Sequence, residues 1–373
     1  MADMPIANTP PIYLDANATE PLRPEARTAA LAAMDAVGNP ASIHAAGRQA
    51  RQILEEARAT IARHFGAAPS ELVLTSGGTE ANALAIANLG AGRRIIVGAT
   101  EHDAVRAAAP SATNLPVGPD GRADLSALAR LLAEGPALVC LMLANNETGV
   151  IHPVEQAAAL CRAHGALLHV DGVQAAGRIA FTLASLGADS LALSGHKAGG
   201  PKGAGALLLR PGLEITAHIA GGGQERGRRG GTPSLPAIAG FAAALQAALQ
   251  AATQTNYLAA LRDEAEAAAI QAGAIAVGAN APRLPNTTCL ARPGVRADTQ
   301  VIALDLAGIA VSAGAACSSG KVTASHVLQA MGQGALAGCA IRVSLPWNTS
   351  PQHIARFTAA YANLPAARQT VPA

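Results

Sequence analysis

Cysteine, aromatic residues and net charge are all scarce in this chain of 373 residues. The five cysteines are scattered and never form CxxC, which argues against a disulfide framework and against a zinc site. The net charge is only +2 and there are no basic runs with interleaved aromatics, so nothing indicates a nucleic acid or membrane partner. No apolar run is long enough to cross a bilayer, and the first residues lack a signal-peptide pattern. We therefore expect a cytoplasmic protein that acts on a small molecule.

Lysine is rarer still, with only Lys197, Lys202 and Lys321 among 27 basic residues. Arginine stays protonated, whereas a lysine amine can lose its proton and join an aldehyde as a Schiff base. Lys197 lies at the centre of SGHKAGGPKGAG (194–205), which favours a reactive lysine with pyridoxal phosphate as its aldehyde. Ser194 and His196 could hold a phosphate beside it. Lys202 is more simply a solvated charge.

Apolar segments alternate with helical ones from ELVLTS (71–76) to about Leu209. This alternation predicts an α/β fold with a mostly parallel sheet covered by helices on both faces. In such sheets a ligand binds beyond the carboxyl ends of the strands. Polar segments follow five of the predicted strands, and we expect them to converge: SGGTE, EH at 101–102, NNETG, DGVQ and SGHK.

The turn after ELVLTS is a candidate phosphate site. A strand, a glycine turn and a helix start would leave the N–H groups of Gly78 and Thr79 facing an anion. An ordinary helix capped by Thr79 explains the same residues equally well.

Three further strand ends carry groups suited to a cofactor ring. Asp171 ends an apolar strand, where a carboxylate needs a partner such as a pyridinium N–H, although helix capping is the commoner role. Gln174 could donate to a ring oxygen, or could be a surface residue. His102 could stack on the ring and transfer a proton, or could simply occupy a first helical turn. Their joint appearance at successive strand ends favours the cofactor.

A second reactive centre is predicted in GAACSSGK (314–321). Cys317 lies among small residues rather than in an apolar core, and Lys321 could favour its thiolate. A buried small residue in a tight turn is the alternative. Upstream, the glycine- and arginine-rich segment 221–234 is expected to pack on a cofactor, another subunit or both, although it could be a linker. A long helical region from Pro233 to about Gln271 would then lead to a smaller α/β domain.

Taken together, the motifs resemble those of the cysteine desulfurases that serve nitrogenase maturation and iron–sulfur cluster assembly. The matching segments cover nearly the whole chain in order: YLDANAT, GNPASIHAAG, LTSGGTEAN, NNETGV, HVDGVQAAG, SGHKAGGPKGAGAL, GGGQERGRRGGT, LPNT, VSAGAACSSG, SHVLQAMG and IRVSL. The resemblance implies a fold-type I pyridoxal-phosphate enzyme with a mostly parallel, seven-stranded sheet in a large domain and a smaller α/β C-terminal domain. It also implies an arm over 1–20 that packs with the small domain, a large domain over 21–255, and a small domain over 256–373 with the cysteine loop.

The resemblance assigns roles to individual residues. Lys197 would bind the cofactor, Cys317 would carry a persulfide and transiently ligate an iron–sulfur cluster shared with a scaffold, and His102 would stack on the ring. Asn146 and Arg342 would take the carboxylate of L-cysteine. The remaining cofactor contacts would be Gly78, Thr79, Asn146, Asp171, Gln174, Ser194, Gly195, His196 and, from the partner subunit of a homodimer, Thr232.

Two positions depart from the family pattern. Glu20 replaces a usual threonine and would place a negative charge near the substrate entrance, and Pro346 replaces a usual glycine. Selenocysteine lyase or aminotransferase activity, and a non-catalytic cofactor-binding scaffold, remain alternatives. The acceptor of the sulfur is not specified by the sequence.

Overall fold

The computed structural model describes residues 10–250, 255–314 and 324–364. Its strands are β1 (Ile12–Tyr13), β2 (Leu72–Thr75), β3 (Arg94–Gly98), β4 (Thr113–Leu115), β5 (Ala137–Cys140), β6 (Leu167–Asp171), β7 (Ser190–Ser194), β8 (Gly205–Leu209), β9 (Ile275–Val277), β10 (Thr287–Ala291), β11 (Ile309–Ala310), β12 (Ser312–Ala313) and β13 (Ala340–Ser344). Its helices are α1 (Pro24–Met34), α2 (Ala45–His64), α3 (Gly78–Leu89), α4 (Asp103–Arg106), α5 (Leu125–Leu132), α6 (Val154–Ala163), α7 (Leu183–Leu186), α8 (Leu235–Gln250), α9 (Thr255–Gln271), α10 (Ala297–Leu306), α11 (His326–Ala330) and α12 (Pro351–Ala362).

The large sheet has seven strands in the order β2-β8-β7-β6-β5-β3-β4. Strands β7, β6, β5, β3 and β4 are parallel to one another, and β8 is antiparallel to both β2 and β7. The residues of β5, β7 and β8 are all buried, as expected of strands covered on both faces. The predicted mostly parallel sheet is therefore confirmed, with β8 as the reversed strand.

A second, antiparallel sheet follows in the order β12-β13-β10-β9. The N-terminal strand β1 pairs in parallel with β11, and Ile12 and Leu14 share an apolar core with Phe357 and Tyr361. This core is separate from the one beneath the large sheet. We propose that the chain divides into an arm over 1–20, a large domain over 21–255 and a small domain over 256–373.

The helical region predicted from Pro233 to Gln271 is described as two helices, α8 and α9, and residues 251–254 lie outside the described part. The helix predicted from His102 is a single turn, α4, which ends before Pro110. No helix in the described ranges is both long and apolar enough to cross a membrane. In the same ranges, no cluster of three or more His, Cys, Asp or Glu could hold a metal.

The glycine- and arginine-rich segment 221–234 packs on the edge of the large sheet of its own chain. The buried Glu225 carboxylate pairs with Arg58 (Oε1 to Nη2, 2.6 Å) and accepts the backbone N–H of Leu74 on edge strand β2 (2.9 Å). Arg229 Nε pairs with Glu80 on α3 (2.8 Å). These contacts fix the segment against β2 and α3, which a freely moving linker would not require.

Candidate active site

The polar segments after β2, β3, β5, β6 and β7 meet at one cavity of ≈ 150 Å³. These strands all run in one direction, so their carboxyl ends lie at the same edge of the sheet. The predicted site residues that line the cavity are Gly78, Thr79, His102, Asn146, Asp171, Gln174, Ser194, His196 and Lys197.

Lys197 lies just after β7, and two backbone carbonyls hold its amine. Nζ donates to the oxygens of Asn17 (2.5 Å) and Ala18 (2.9 Å). Burial, with Arg342 and Arg178 nearby, lowers the pKa of Lys197 to about 7. An uncharged amine has two N–H donors and one lone pair, and the two carbonyls use both donors. The lone pair is left available to attack an aldehyde.

The N-terminus of α3 forms one end of the cavity, with Gly78 and Thr79 in its first turn. The backbone hydrogen bonds of the helix begin at the N–H of Ala81. The N–H groups of Gly78 and Thr79 therefore have no partner within the helix, and both residues line the cavity. A side chain at Gly78 would come within 2.6 Å of Val173 Cγ2, so only glycine fits here. Ser194 adds a hydroxyl to this end.

Gly195 and His196 continue this end of the site. Gly195 is buried behind the cavity, and a side chain there would come within 2.9 Å of the Phe241 ring. His196 lines the cavity, and its Nδ1 lies 3.1 Å from Thr19 Oγ1. Burial, together with Lys197 and Lys202, lowers the pKa of His196 to about 4. His196 is therefore a neutral hydrogen-bonding group at neutral pH.

Asp171 also lines the cavity. Its Oδ1 accepts the N–H of Val173 (2.9 Å) and its Oδ2 accepts Asn82 Nδ2 (2.8 Å). Burial raises its pKa, while these two donors act to lower it. A buried carboxylate that faces a cavity needs a partner there, and a cationic N–H donor is suited to that role.

The side chains of Gln174 and His102 make hydrogen bonds to other residues of the protein. Gln174 Nε2 donates to Asn17 O (3.1 Å), and its Oε1 accepts Arg178 Nη1 (2.6 Å). His102 caps α4 by accepting Ala104 N–H on Nδ1 (3.1 Å). Both side chains still line the cavity, so for His102 the capping role and a role at the cavity coexist.

Arg342 lies on β13 of the small sheet, close enough to Lys197 to affect its pKa. Its Nη2 pairs with Asp15 (2.7 Å), its Nη1 donates to Asn146 O (3.1 Å), and its buried Nε has no partner among the described residues. The guanidinium is thus oriented by Asp15, with one donor unused.

Three residues that matter for this geometry were not predicted: Asn17, Asn82 and Asp15. Asn17 accepts from Lys197 and donates through Nδ2 to Asn146 O (3.0 Å) and Thr287 Oγ1 (3.0 Å). Asp15 and Asn17 lie in the segment YLDANAT, and Asn82 lies in LTSGGTEAN. Both segments carry the family resemblance, which is the sequence signal that could have identified these three residues.

Among the described residues, Thr232 is a predicted site residue that lies away from the cavity. Thr232 is exposed and does not line it. Cys317 lies in 315–323, outside the described residues. The residues that flank this segment contact Glu147, next to Asn146: Ser325 Oγ donates to Glu147 Oε2 (2.6 Å), and a side chain at Gly314 would come within 2.6 Å of that oxygen.

Glu20 was expected to place a negative charge near the substrate entrance, and the structure shows which groups surround its carboxylate. It is buried and pairs with Arg178 (3.1 Å), and its other oxygen accepts the N–H of Trp347 (2.8 Å), the residue after Pro346. Burial raises the pKa of Glu20, and Arg178 lowers it. Glu20 therefore contacts the residue that follows Pro346, the other departure from the family pattern. Glu20 and Trp347 border a second cavity of ≈ 600 Å³ that also reaches Lys197.

The family model described as aminotransferase class-V matches residues 12–357. The chain belongs to this family. Among its relatives are cysteine desulfurases from Cereibacter sphaeroides, 42% identical over 86% of both chains, and from Rhodobacter capsulatus, 40% identical over 97% of this chain and 98% of the relative. Among solved structures, the NifS-like protein from Rickettsia africae ESF-5 is 34% identical with a TM-score of 0.88, covering 95% of this chain and 99% of that one. As a class-V aminotransferase, the protein is a pyridoxal-phosphate enzyme of fold type I, as predicted.

The residues present fit this cofactor on their own geometry. The helix start at Gly78 and Thr79 suits a phosphate, the lone pair of Lys197 suits an aldehyde, and the Asp171 carboxylate suits a pyridinium N–H. These groups all line the same cavity.

Proposed function

We propose that this class-V aminotransferase is a cysteine desulfurase, which converts L-cysteine to L-alanine and transfers the sulfur to Cys317. The observation that carries the proposal is the position of the Lys197 amine, whose pKa burial lowers to about 7, on the wall of a cavity that also holds Asp171 and the N-terminus of α3. The cysteine desulfurases from Cereibacter sphaeroides and Rhodobacter capsulatus are 40–42% identical to the chain, which supports the choice of substrate.

Each residue of the site has a defined task in this proposal. When bound, pyridoxal phosphate withdraws electrons from the α-carbon of an amino acid. Gly78, Thr79, Ser194, Gly195 and His196 hold its phosphate, and Lys197 holds its aldehyde. Asp171 and Gln174 contact the ring, and His102 stacks on it.

The substrate carboxylate is bound by Asn146 and by Arg342, whose unused Nε lies in a buried guanidinium. Lys197 Nζ accepts the substrate α-proton, because an amine with a pKa of about 7 is a base near neutral pH.

The sulfur transfer balances without another reactant. The thiolate of Cys317 attacks the substrate sulfur, an S–S bond forms, and the substrate C–S bond breaks with its electron pair left on carbon. That carbon takes up a proton, for which His102 is the proposed acid, Lys197 returns a proton to the α-carbon, and L-alanine leaves. Cys317 is left as a persulfide, which an acceptor protein then consumes.

The protein would work as a homodimer in the cytoplasm. Val37 and Ile43 are 83% and 86% exposed beside the end of α1, which leaves apolar surface for a second copy to cover. The partner subunit would supply Thr232 to the phosphate. The four described cysteines are free and buried, which suits a reducing compartment. The acceptor would be an iron–sulfur scaffold or another sulfur carrier, and Cys317 would transiently ligate a shared cluster.

Substitution of Cys317 tests the proposed function. Cys317→Ser should retain bound cofactor but lose at least about a hundredfold of its alanine and sulfide formation, since a hydroxyl is a far weaker nucleophile toward sulfur. Alanine, sulfide and pyruvate are measured together after incubation with L-cysteine. Cys339→Ser, at a buried thiol of the small domain, is the matched control. Full activity in Cys317→Ser would show that another thiol is the nucleophile.

A further inference from the structure

A chain of buried polar groups runs from the interior of the large sheet to Asp171. Ser190 Oγ lies 2.8 Å from His169 Nδ1, and His169 Nε2 lies 2.8 Å from Asn82 Oδ1. Asn82 Nδ2 then donates to Asp171 Oδ2 at 2.8 Å. Ser190 and His169 have no exposed surface and Asn82 is 1% exposed, so solvent does not satisfy these groups.

The fold dictates this arrangement. His169 and Asp171 are two residues apart on β6, so their side chains project from the same face of the sheet. Helix α3 packs on β6 and places Asn82 between them. Ser190 is the register partner of His169 on the adjacent strand β7. The four hydrogen-bonded residues thus lie on two strands and one helix, and none of them lies in a loop.

The donor of every hydrogen bond in the chain can be assigned. A carboxylate only accepts, so Asn82 must direct its NH₂ group to Asp171 and its carbonyl oxygen to His169. His169 must therefore carry a proton on Nε2. Burial lowers the pKa of His169 to about 3, so the ring is neutral and its Nδ1 accepts the hydroxyl proton of Ser190.

We propose that Ser190, His169 and Asn82 are positioning residues that fix the Asp171 carboxylate in its orientation and keep it ionised for the cofactor ring. This inference rests on the proposed function, because it takes Asp171 as the partner of the ring nitrogen. The chain lets Asn82 present a polarised N–H to the carboxylate and opposes the effect of burial, which favours a neutral acid. Val173 N–H holds the other oxygen, so the carboxylate is held by a donor on each oxygen.

The test uses the holoenzyme loaded with pyridoxal phosphate that is ¹⁵N-labelled at its ring nitrogen. In the wild-type protein the ¹⁵N resonance should be that of a protonated ring. His169→Phe and Asn82→Leu should shift it toward the unprotonated position and weaken cofactor binding by about tenfold, the effect of one lost hydrogen bond to a charged group. His169→Gln, which keeps an N–H donor, should restore much of the wild-type signal.

The matched control is His152→Phe. His152 is also a buried neutral histidine of the large domain, with its Nε2 3.2 Å from Thr100 Oγ1 and its Nδ1 accepting Ala123 N–H. It should lower stability as much as His169→Phe while leaving the ¹⁵N resonance unchanged. If both variants destabilise the protein and neither shifts the resonance, the hydrogen-bonded residues Ser190, His169 and Asn82 are only structural, and the proposal is overturned.

Two further measurements keep the inference testable. Histidine ¹⁵N spectra of the wild-type protein should show His169 protonated on Nε2 and bare on Nδ1, and the opposite tautomer would overturn the assignment. Asp171→Asn should itself shift the cofactor resonance. If it does not, the role of Asp171 in the proposed function fails, which is distinct from failure of the chain.

Discussion

At the scale of single residues, the state of Lys197 decides what the site can do. Burial lowers the pKa of its amine to about 7, so a large share of it is uncharged near neutral pH, and two backbone carbonyls accept hydrogen bonds from it. Arginine in its place would stay protonated and could not form an imine. The scarcity of lysine in the sequence thus pointed to a position whose structural environment favours covalent chemistry.

We predict that Lys197 is the residue that binds pyridoxal phosphate covalently. After borohydride reduction, peptide mass spectrometry should find the cofactor on Lys197. Lys197→Ala should lose covalent label and at least about a thousandfold of its activity, because both attachment and the base are removed. Lys202→Ala, at a lysine five residues away, is the control and should be labelled normally. Label on Lys202 in the wild-type enzyme would contradict the assignment.

Sequence reasoning identified the reactive groups better than their hydrogen-bond partners. Lys197 and Asp171 could be predicted because their side-chain chemistry is unusual at a strand end. Asn17 could not, because it reaches Lys197 from 180 residues away and uses a backbone carbonyl that any residue would supply. The unexpected burial of Glu20 depends likewise on Arg178 and Trp347, which are distant in sequence.

At the scale of secondary structure elements, the phosphate end of the site depends on close backbone packing. Strand β8 begins at Gly205, whose position beside Gly77 brings the turn before α3 next to the end of β7. A Cβ atom at Gly205 would come within 2.5 Å of the Gly77 carbonyl carbon and 2.7 Å of Leu193 O. Both are backbone atoms, which cannot move aside as a flexible side chain can.

We predict that Gly205→Ala displaces the phosphate-binding turn. Cofactor affinity should fall at least about tenfold, and the apparent Tm should fall because overpacking in a tight core costs about 1–3 kcal/mol. Titration of the cofactor-free protein with pyridoxal phosphate and a thermal melt measure the two effects. Gly338→Ala is the control, since nothing lies within 4 Å of its added Cβ. Unchanged cofactor affinity in Gly205→Ala would show that the turn does not depend on this packing.

The strands of the large sheet were easier to predict than the short helices. The apolar run RIIVG corresponds residue for residue to β3, because a strand covered on both faces needs continuous apolar residues. Helix α4 has only one turn, and its length is set by tertiary packing rather than by a sequence period. The reversed direction of β8 also has no local sequence signal, because an apolar strand reads the same in either direction.

At the scale of the whole molecule, buried neutral histidines link stability to pH. Burial lowers the pKa of His152 to about 4, whereas the unfolded chain keeps a value near 6.5. Between these values the unfolded state binds more protons, so the contribution of His152 to stability falls as pH drops from about 6.5 toward 4. Protonation would also break the hydrogen bond that Nδ1 accepts from Ala123.

We predict that His152→Gln lowers the apparent Tm more at pH 7.5 than at pH 5. At the lower pH the wild-type protein has itself lost part of the stabilisation that the variant lacks. Comparing the two proteins at each pH cancels the contributions of the buried carboxylates, which they share. Melting curves of both holoenzymes give the two differences. An equal difference at both pH values would show that His152 titrates alike in the folded and unfolded states.

The exposed position of Thr232 bears on the assembly of the whole enzyme. Three residues earlier, Arg229 is tied to Glu80, whose Oε2 also accepts the N–H of Ser76 in the turn before α3. The segment that carries Thr232 is therefore anchored at the phosphate end of the large domain, yet Thr232 does not reach this chain's own cavity. Under the proposed homodimer, it would reach the cofactor phosphate of the partner subunit.

Subunit mixing tests this sharing directly. Lys197→Ala and Thr232→Ala homodimers should each have low activity, because every site lacks one residue. In a heterodimer of the two, one site lacks both residues and the other has the intact lysine of one subunit and the intact threonine of its partner. That heterodimer, purified with two affinity tags, should recover about half of the wild-type activity per dimer. If Thr232 served the cavity of its own chain, no site in the heterodimer would be intact and the activity would stay at the level of the homodimers.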